Sequence, residues 1–285
     1  MTNRLESFRM PTFSDRLTEA VAQYGPLCVG LDPRVDQLPA EYADLPPVDA
    51  VERFCLKILD LVRPYCGVVK PQAAFFELLG GGGFEAMDTV FKLAKEKGFI
   101  TILDGKRGDI STTATAYAQA AFGPTWDADA VTVNPYMGYD AVEPFLALGR
   151  KTFPARGVFA LVRTSNPGGG LFQELECNGK PLYRHVAEAV AEWNDGFGDV
   201  GAVVGATNPA ELKELRDAIP DVWFLVPGYG AQGGTAKDVK AAYRADGTGA
   251  IVNSSRGVVF PFRRDDADWE LKVINAAIKA QAELR

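Results

Sequence analysis

Histidine is nearly absent. The chain has 285 residues and one histidine, His185, which falls in a helical stretch (Tyr183–Ala191) with no evident catalytic partner. Cysteine is scarce as well. Cys28, Cys55, Cys66 and Cys177 form no C-x-x-C pair, and the first three lie within apolar runs. They read as buried thiols rather than metal ligands or disulfide partners. Basic residues do not dominate either. A formal charge of −7 argues against broad nucleic-acid binding, while leaving room for a local basic pocket. No apolar stretch approaches the roughly 20 residues of a membrane span. The N-terminus, MTNRLESFRMPTF, lacks the apolar core of a signal peptide. A soluble cytoplasmic protein with no nucleic-acid or membrane partner is expected. No charged or Ser/Gly-rich linker divides the chain, so residues 1–285 read as a single domain.

What is present is apolar sequence in short repeated runs. Hydrophobic residues make up 47% of the chain, ample for a buried core. Eight Val-, Ile- and Leu-rich runs recur: Leu27–Leu31, Gly67–Val69, Ile100–Leu103, Ala130–Val133, Val158–Val162, Ala202–Val204, Val222–Val226 and Ala250–Val252. They show little polar alternation, as strands buried on both faces do. Amphipathic helical stretches separate them. Val51, Phe54, Cys55, Ile58, Leu59 and Val62 share one helical face. Asn208-Pro209 opens another helix with a cap residue followed by proline. Leu271, Ile274 and Ile278 mark the last helix, and an extra helix near Phe13–Tyr24 precedes the first strand. This alternation predicts an α/β fold, a single (β/α)8 TIM barrel with an extra N-terminal helix; an open doubly wound sheet is the rival. The Gly80–Gly83 run lacks the Gly-Lys-Ser/Thr ending of a phosphate loop and reads as a flexible connection between helices.

The strand exits are polar. In order they carry Asp32, Lys70, Asp104 with Lys106, Asn134, Thr164-Ser165-Asn166, Thr207, Pro227-Gly228 and Ser254-Ser255-Arg256-Gly257. In a barrel these ends converge on one mouth. Asp104 and Lys106 stand two residues apart, so their side chains leave the same strand face with Cα atoms roughly 6.6 Å apart. Asp109 falls at the start of the next helix, where a carboxylate suits the free N–H groups. Gly228-Tyr229-Gly230-Ala231-Gln232-Gly233 satisfies G-x-G-x-x-G, but at the seventh strand and led by Pro227. With Arg256 beside Gly257 it reads as a phosphate grip, and the Gly228–Gly234 loop as a lid over it.

Asp104-x-Lys106-x-x-Asp109, with Lys70 on the preceding strand, resembles the orotidine 5′-phosphate decarboxylase family. So do Val69-Lys70-Pro71-Gln72, Thr164-Ser165-Asn166-Pro167-Gly168 and Val226-Pro227-Gly228, which look like its type 2 bacterial branch. The likeness runs from about Leu27 to Val258. It implies decarboxylation of orotidine 5′-phosphate to uridine 5′-phosphate, in pyrimidine biosynthesis, with no cofactor and no metal. It implies a homodimer in which Asp109 and Thr113 enter the neighbouring site. Lys70, Asp104, Lys106 and Asp109 would form an alternating charged array, with Lys106 stabilising a C6 carbanion and donating its proton. Asp32 would bind ribose hydroxyls. Ser165, with Thr164 or Asn166 as alternatives, would contact the pyrimidine. Gly228, Gln232 and Arg256 would hold phosphate. Magnesium-dependent sugar-phosphate decarboxylases and aldolases share Asp-x-Lys-x-x-Asp but resemble this pattern with an acidic ligand where Lys70 stands. A lysine there repels a metal ion. A non-catalytic phosphate-ligand-binding barrel is the third reading.

Overall fold

The computed structural model describes residues 11–230 and 233–285. Eight parallel strands close into a barrel: β1 (Leu27–Leu31), β2 (Val68–Pro71), β3 (Ile100–Arg107), β4 (Ala130–Val133), β5 (Gly157–Arg163), β6 (Val200–Val204), β7 (Trp223–Val226) and β8 (Ala250–Ser254). Strands follow one another around the ring in chain order, and β8 returns to pair with β1. The (β/α)8 expectation therefore stands, and the open sheet falls. Every residue of β1, β2, β4, β6 and β7 is buried. That two-sided burial is why these runs carry no polar alternation.

The expected extra helix, Phe13–Tyr24, plugs the N-terminal end of the barrel. Thr12 and Asp15 cap it reciprocally. Its Phe13, Leu17 and Val21 pack against Cys28, Val68, Ile102, Phe159 and Ile251 from the strands. Phe13 meets Phe159 edge-on with ring centroids 5.9 Å apart. Gly157 permits this, because a Cβ there would sit 2.1 Å from the Phe13 ring. Below the plug, the buried Asp129 carboxylate accepts hydrogen bonds from Arg16, Arg156 and Thr101. With this end sealed, the C-terminal end is left to hold a cavity.

The outer helices follow the sequence pattern with one correction. Helix Pro47–Val62 buries the predicted face, and the Asn208 side chain caps helix Pro209–Ala218. The final helix, Trp269–Leu284, is the one that Leu271, Ile274 and Ile278 mark. Trp269, Val273, Ala277, Ala280 and Leu284 are buried, while Leu271 and Ile278 are exposed. Apolar residues lie on more than one side of this helix, and the stripe with spacings near four wins the contact. The Gly80–Gly83 run is not a connection; it is the first turn of helix Gly80–Glu96. Gly83 packs so closely that a Cβ would lie 1.9 Å from the Phe76 carbonyl oxygen. The long Asn166–Lys180 connection holds a short helix, Gly170–Gln173, and a hairpin pairing Glu176–Cys177 with Lys180–Pro181. Asn178 and Gly179 turn that hairpin with positive φ of 52° and 79°. Among the described residues no helix is long and apolar enough to cross a membrane.

Candidate active site

A cavity of about 590 Å³ opens at the C-terminal ends of the strands. Its floor is Asp104, near the end of the apolar part of β3. Asp104 is 6% exposed and Lys70, opposite it on β2, is 5% exposed. Lys70 Nζ donates to Asp104 Oδ2 at 2.5 Å, and Gln72 Nε2 donates to the same oxygen at 2.9 Å. Lys106 Nζ donates to Oδ1 at 2.8 Å, and the Thr132 hydroxyl to that oxygen at 2.9 Å. One carboxylate thus receives four donors, two on each oxygen.

This arrangement fixes the charge states. Burial alone would lift the Asp104 carboxyl, but Lys70 first and Lys106 second overcome it and hold Asp104 well below the ordinary carboxylate range. Burial alone would likewise lower Lys70. Asp104, then Asp32, reverses that and holds the ammonium above the ordinary lysine range. Asp32, Lys70, Asp104 and Lys106 therefore alternate in sign across the cavity wall. Lys106 is the accessible member, with its side chain 48% exposed. An ammonium tied to a buried carboxylate at one side and open to the cavity at the other can stabilise a developing anion and hand it a proton.

Most of the expected site residues come together. Asp32, Lys70, Asp104, Lys106, Thr164, Ser165, Asn166, Gly228 and Arg256 all line the cavity. The Asp32 Oδ1 atom is buried and has no hydrogen-bond partner among the described residues. Thr164 is committed to its own loop: its hydroxyl donates to Asn166 Oδ1 at 2.6 Å and accepts from Gln173 Nε2 at 2.8 Å. Asn134 and Thr207 are not among the lining residues. Gln232 lies outside the described residues.

Asp109 and Thr113 do not line the cavity of their own chain. Thr113 is exposed on helix Ser111–Phe122. Asp109 does not cap that helix. Ile110 occupies the N-cap position, and Asp109 Oδ1 accepts the neighbouring Ile110 N–H at 2.8 Å.

Sequence reasoning placed Ser255 at the mouth without a role, and missed Gln72, Thr132 and Asn253 as lining residues. A signal was present. Thr132 and Asn253 are polar residues inside otherwise apolar strands, and Gln72 stands two residues after Lys70, on the same side of the chain. Gly30 makes room for the eighth-strand pair, since a Cβ there would lie 2.0 Å from Ser255 Oγ and 2.9 Å from Asn253 Oδ1.

A closed parallel barrel with an alternating acid–base array at its C-terminal mouth is the layout of a barrel enzyme acting on a small anionic molecule. The chain belongs to the orotidine 5′-phosphate decarboxylase / HUMPS family, whose model matches residues 25–260. Orotidine 5′-phosphate decarboxylase of Rhodopirellula baltica is 46% identical, covering 97% of this chain and 100% of that protein. The enzyme of the same name from Haloarcula marismortui is 45% identical, covering 90% of this chain and 91% of its own. Among solved structures, Leishmania donovani OMP decarboxylase superposes with a TM-score of 0.79 at 36% identity, covering 96% of this chain and 98% of that one. The family read from the charged motif is the family found.

Proposed function

We propose that this chain decarboxylates orotidine 5′-phosphate to uridine 5′-phosphate, in pyrimidine biosynthesis, without cofactor or metal. The observation that carries the reading is the buried Asp104 held between Lys70 and Lys106 at the cavity floor. In the reaction the bond from C6 to the carboxylate breaks and CO2 leaves. The electron pair stays on C6, next to the Lys106 ammonium, which gives C6 a proton and is reprotonated from solvent. Opposite unit charges 4 Å apart attract by roughly 4 kcal/mol at an effective dielectric near 20, a useful fraction of the barrier. Asp104 orients Lys106, and Lys70 keeps Asp104 ionised. Magnesium-dependent sugar-phosphate decarboxylases and aldolases share the Asp-x-Lys-x-x-Asp pattern, but a buried Lys70 ammonium beside Asp104 repels a divalent cation.

The remaining roles follow from placement. Asp32 takes ribose hydroxyls, which would supply the donor that its buried Oδ1 lacks. Ser165 and Asn166 take the pyrimidine, leaving Thr164 to its loop. Gly228, Gln232 and Arg256 hold phosphate, and the Gly228–Gly234 loop closes over it. Asp109 and Thr113 serve the site of a second copy in a homodimer. Ile110, Tyr117, Tyr136, Met137 and Tyr139 support this, being large apolar side chains left exposed on the helix that carries Thr113, at its start and on the following barrel loop. We take residues 1–285 as one catalytic domain, and the buried, unpaired Cys28, Cys55 and Cys66 suit a cytoplasmic location.

One assay tests the reading. Chelator-treated protein is mixed with orotidine 5′-phosphate and uridine 5′-phosphate is followed. Turnover is expected at full rate. Turnover that requires added magnesium and a sugar phosphate, or binding with no turnover, would replace the reading with one of its rivals.

A further inference from the structure

We infer that Thr132 is a positioning residue that locks the catalytic lysine into place through its backbone as well as through Asp104; the inference rests on the decarboxylase reading of this mouth. The argument begins with register. Leu103 pairs with Val131 and Arg107 with Val133, so four residue steps on β3 face two on β4. Asp104, Gly105 and Lys106 form a bulge in the strand. A bulge leaves backbone groups without ladder partners and redirects its side chains. Within it Lys106 adopts φ of +44°, a left-handed conformation that a side chain bearing a Cβ disfavours.

Thr132 lies opposite the bulge and is 1% exposed. Its hydroxyl oxygen accepts the Lys106 backbone N–H at 2.9 Å, replacing the missing ladder bond. The same hydroxyl donates its own proton to Asp104 Oδ1 at 2.9 Å. One oxygen therefore ties the backbone of the proton donor to the carboxylate that orients its ammonium. The tie is anchored from behind, because Thr132 pairs in register with Phe159 on β5. The far end of the bulge is closed by Asn134 N–H donating to the Arg107 carbonyl at 2.7 Å. In a regular strand, Lys106 would project without this closure. With it, Lys106 Nζ is brought to Asp104 Oδ1 while remaining open to the cavity.

The test separates hydroxyl from shape. Thr132→Val keeps the branched outline and deletes both hydrogen bonds; Thr132→Ser keeps both. In Thr132→Val, kcat is expected to fall about ten- to a hundredfold, the range for losing a hydrogen bond to a charged group. KM and the affinity for uridine 5′-phosphate should stay within about threefold, since the hydroxyl is not assigned to ground-state binding. Thr132→Ser should stay within about threefold of wild type in all three quantities. A wild-type kcat in Thr132→Val, a loss confined to KM, or an equal loss in Thr132→Ser would overturn the assignment. If Thr132→Val does not fold, Thr132→Ala removes the same bonds and carries the same criteria. Should the wild-type protein leave orotidine 5′-phosphate untouched, the decarboxylase reading fails instead. A crystal structure of the valine or alanine variant then still decides the positioning claim, by whether Lys106 keeps its left-handed backbone.

Discussion

Lys70 Nζ stands 2.5 Å from Asp104 Oδ2, and both groups are almost wholly buried. A buried ion pair contributes little net stability, but breaking one half is expensive because the survivor keeps its charge in a poor solvent. Asp104→Ala leaves both lysine ammoniums without their shared counter-charge. We expect it to lose about 3–5 kcal/mol of stability and at least about a hundredfold in kcat, the lower range for a disabled general acid. Urea unfolding and steady-state assay measure the two effects separately.

The same pair sets a pH dependence. The Asp104 carboxyl is depressed below its ordinary 3.8, so its stabilisation is complete above that pH and is lost as pH falls toward the folded value. Lys70 is raised above its ordinary 10.5, so its stabilisation is complete below that pH and is lost as pH climbs beyond it toward the folded value. Between these limits the pair contributes a constant amount. The difference in unfolding free energy between wild type and Asp104→Asn should thus shrink in strong acid, as pH falls below the ordinary carboxyl value of 3.8 toward the folded one. A difference that stays constant into strong acid would contradict an ionised Asp104 with a depressed pKa.

Asp32 offers a test of substrate recognition. Its buried, unpartnered Oδ1 is an acceptor awaiting a donor. Asp32→Ala should weaken uridine 5′-phosphate about ten- to a hundredfold, as expected for losing a hydrogen bond to a charged acceptor. The matching 2′,3′-dideoxy nucleotide should bind wild type and variant about equally. Calorimetry gives both constants, and an equal loss for the two ligands would move Asp32 away from the ribose.

How much of this was legible beforehand varies with the physics of each feature. The barrel was legible because burial on both faces writes continuous Val, Ile and Leu runs into the chain. Lys70, Asp104 and Lys106 were legible because charges at the ends of such runs have few structural reasons to be there. Thr132 and Gln72 were not assigned, because their importance depends on which residue of one strand faces which residue of the next, and the bulge at Asp104–Lys106 shifts that register. Capping was the alternative role for Asp109 at the start of a helix, but Ile110 takes the cap position, followed by Ser111 with φ of +52°. The final helix was legible as a helix, but its inward face was not, since local hydropathy does not say which of two apolar sides meets the barrel.

Asp129, at the sealed end, separates stability from catalysis. Its carboxylate is 1% exposed and binds Arg16 and the buried Arg156. Asp129→Ala takes one of its two carboxylate partners from the buried Arg156, which keeps Asp127, and should lower stability by about 1–3 kcal/mol. It is remote from the mouth, so kcat measured well below the melting temperature should stay within about twofold. A large fall in kcat with unchanged stability would mean that the two ends of the barrel are coupled.

Subunit sharing has a direct test in complementation. Lys106→Ala removes the proton donor, and Asp109→Ala removes the carboxylate that lies off its own chain's cavity. Each homodimer should be nearly inactive. In a mixed dimer with a two-fold axis, one site combines the intact Lys106 of one copy with the intact Asp109 of the other, and the second site carries both lesions. Equal amounts mixed and allowed to exchange yield half heterodimers, so about a quarter of wild-type activity should return. Native mass spectrometry of the mixture establishes that exchange has occurred. If heterodimers form and activity does not return, Asp109 acts within its own chain or outside catalysis, and the exposed apolar residues beside it need another explanation. Recovery near one quarter, appearing at the rate of subunit exchange, would assign the fourth charge of the array to the partner.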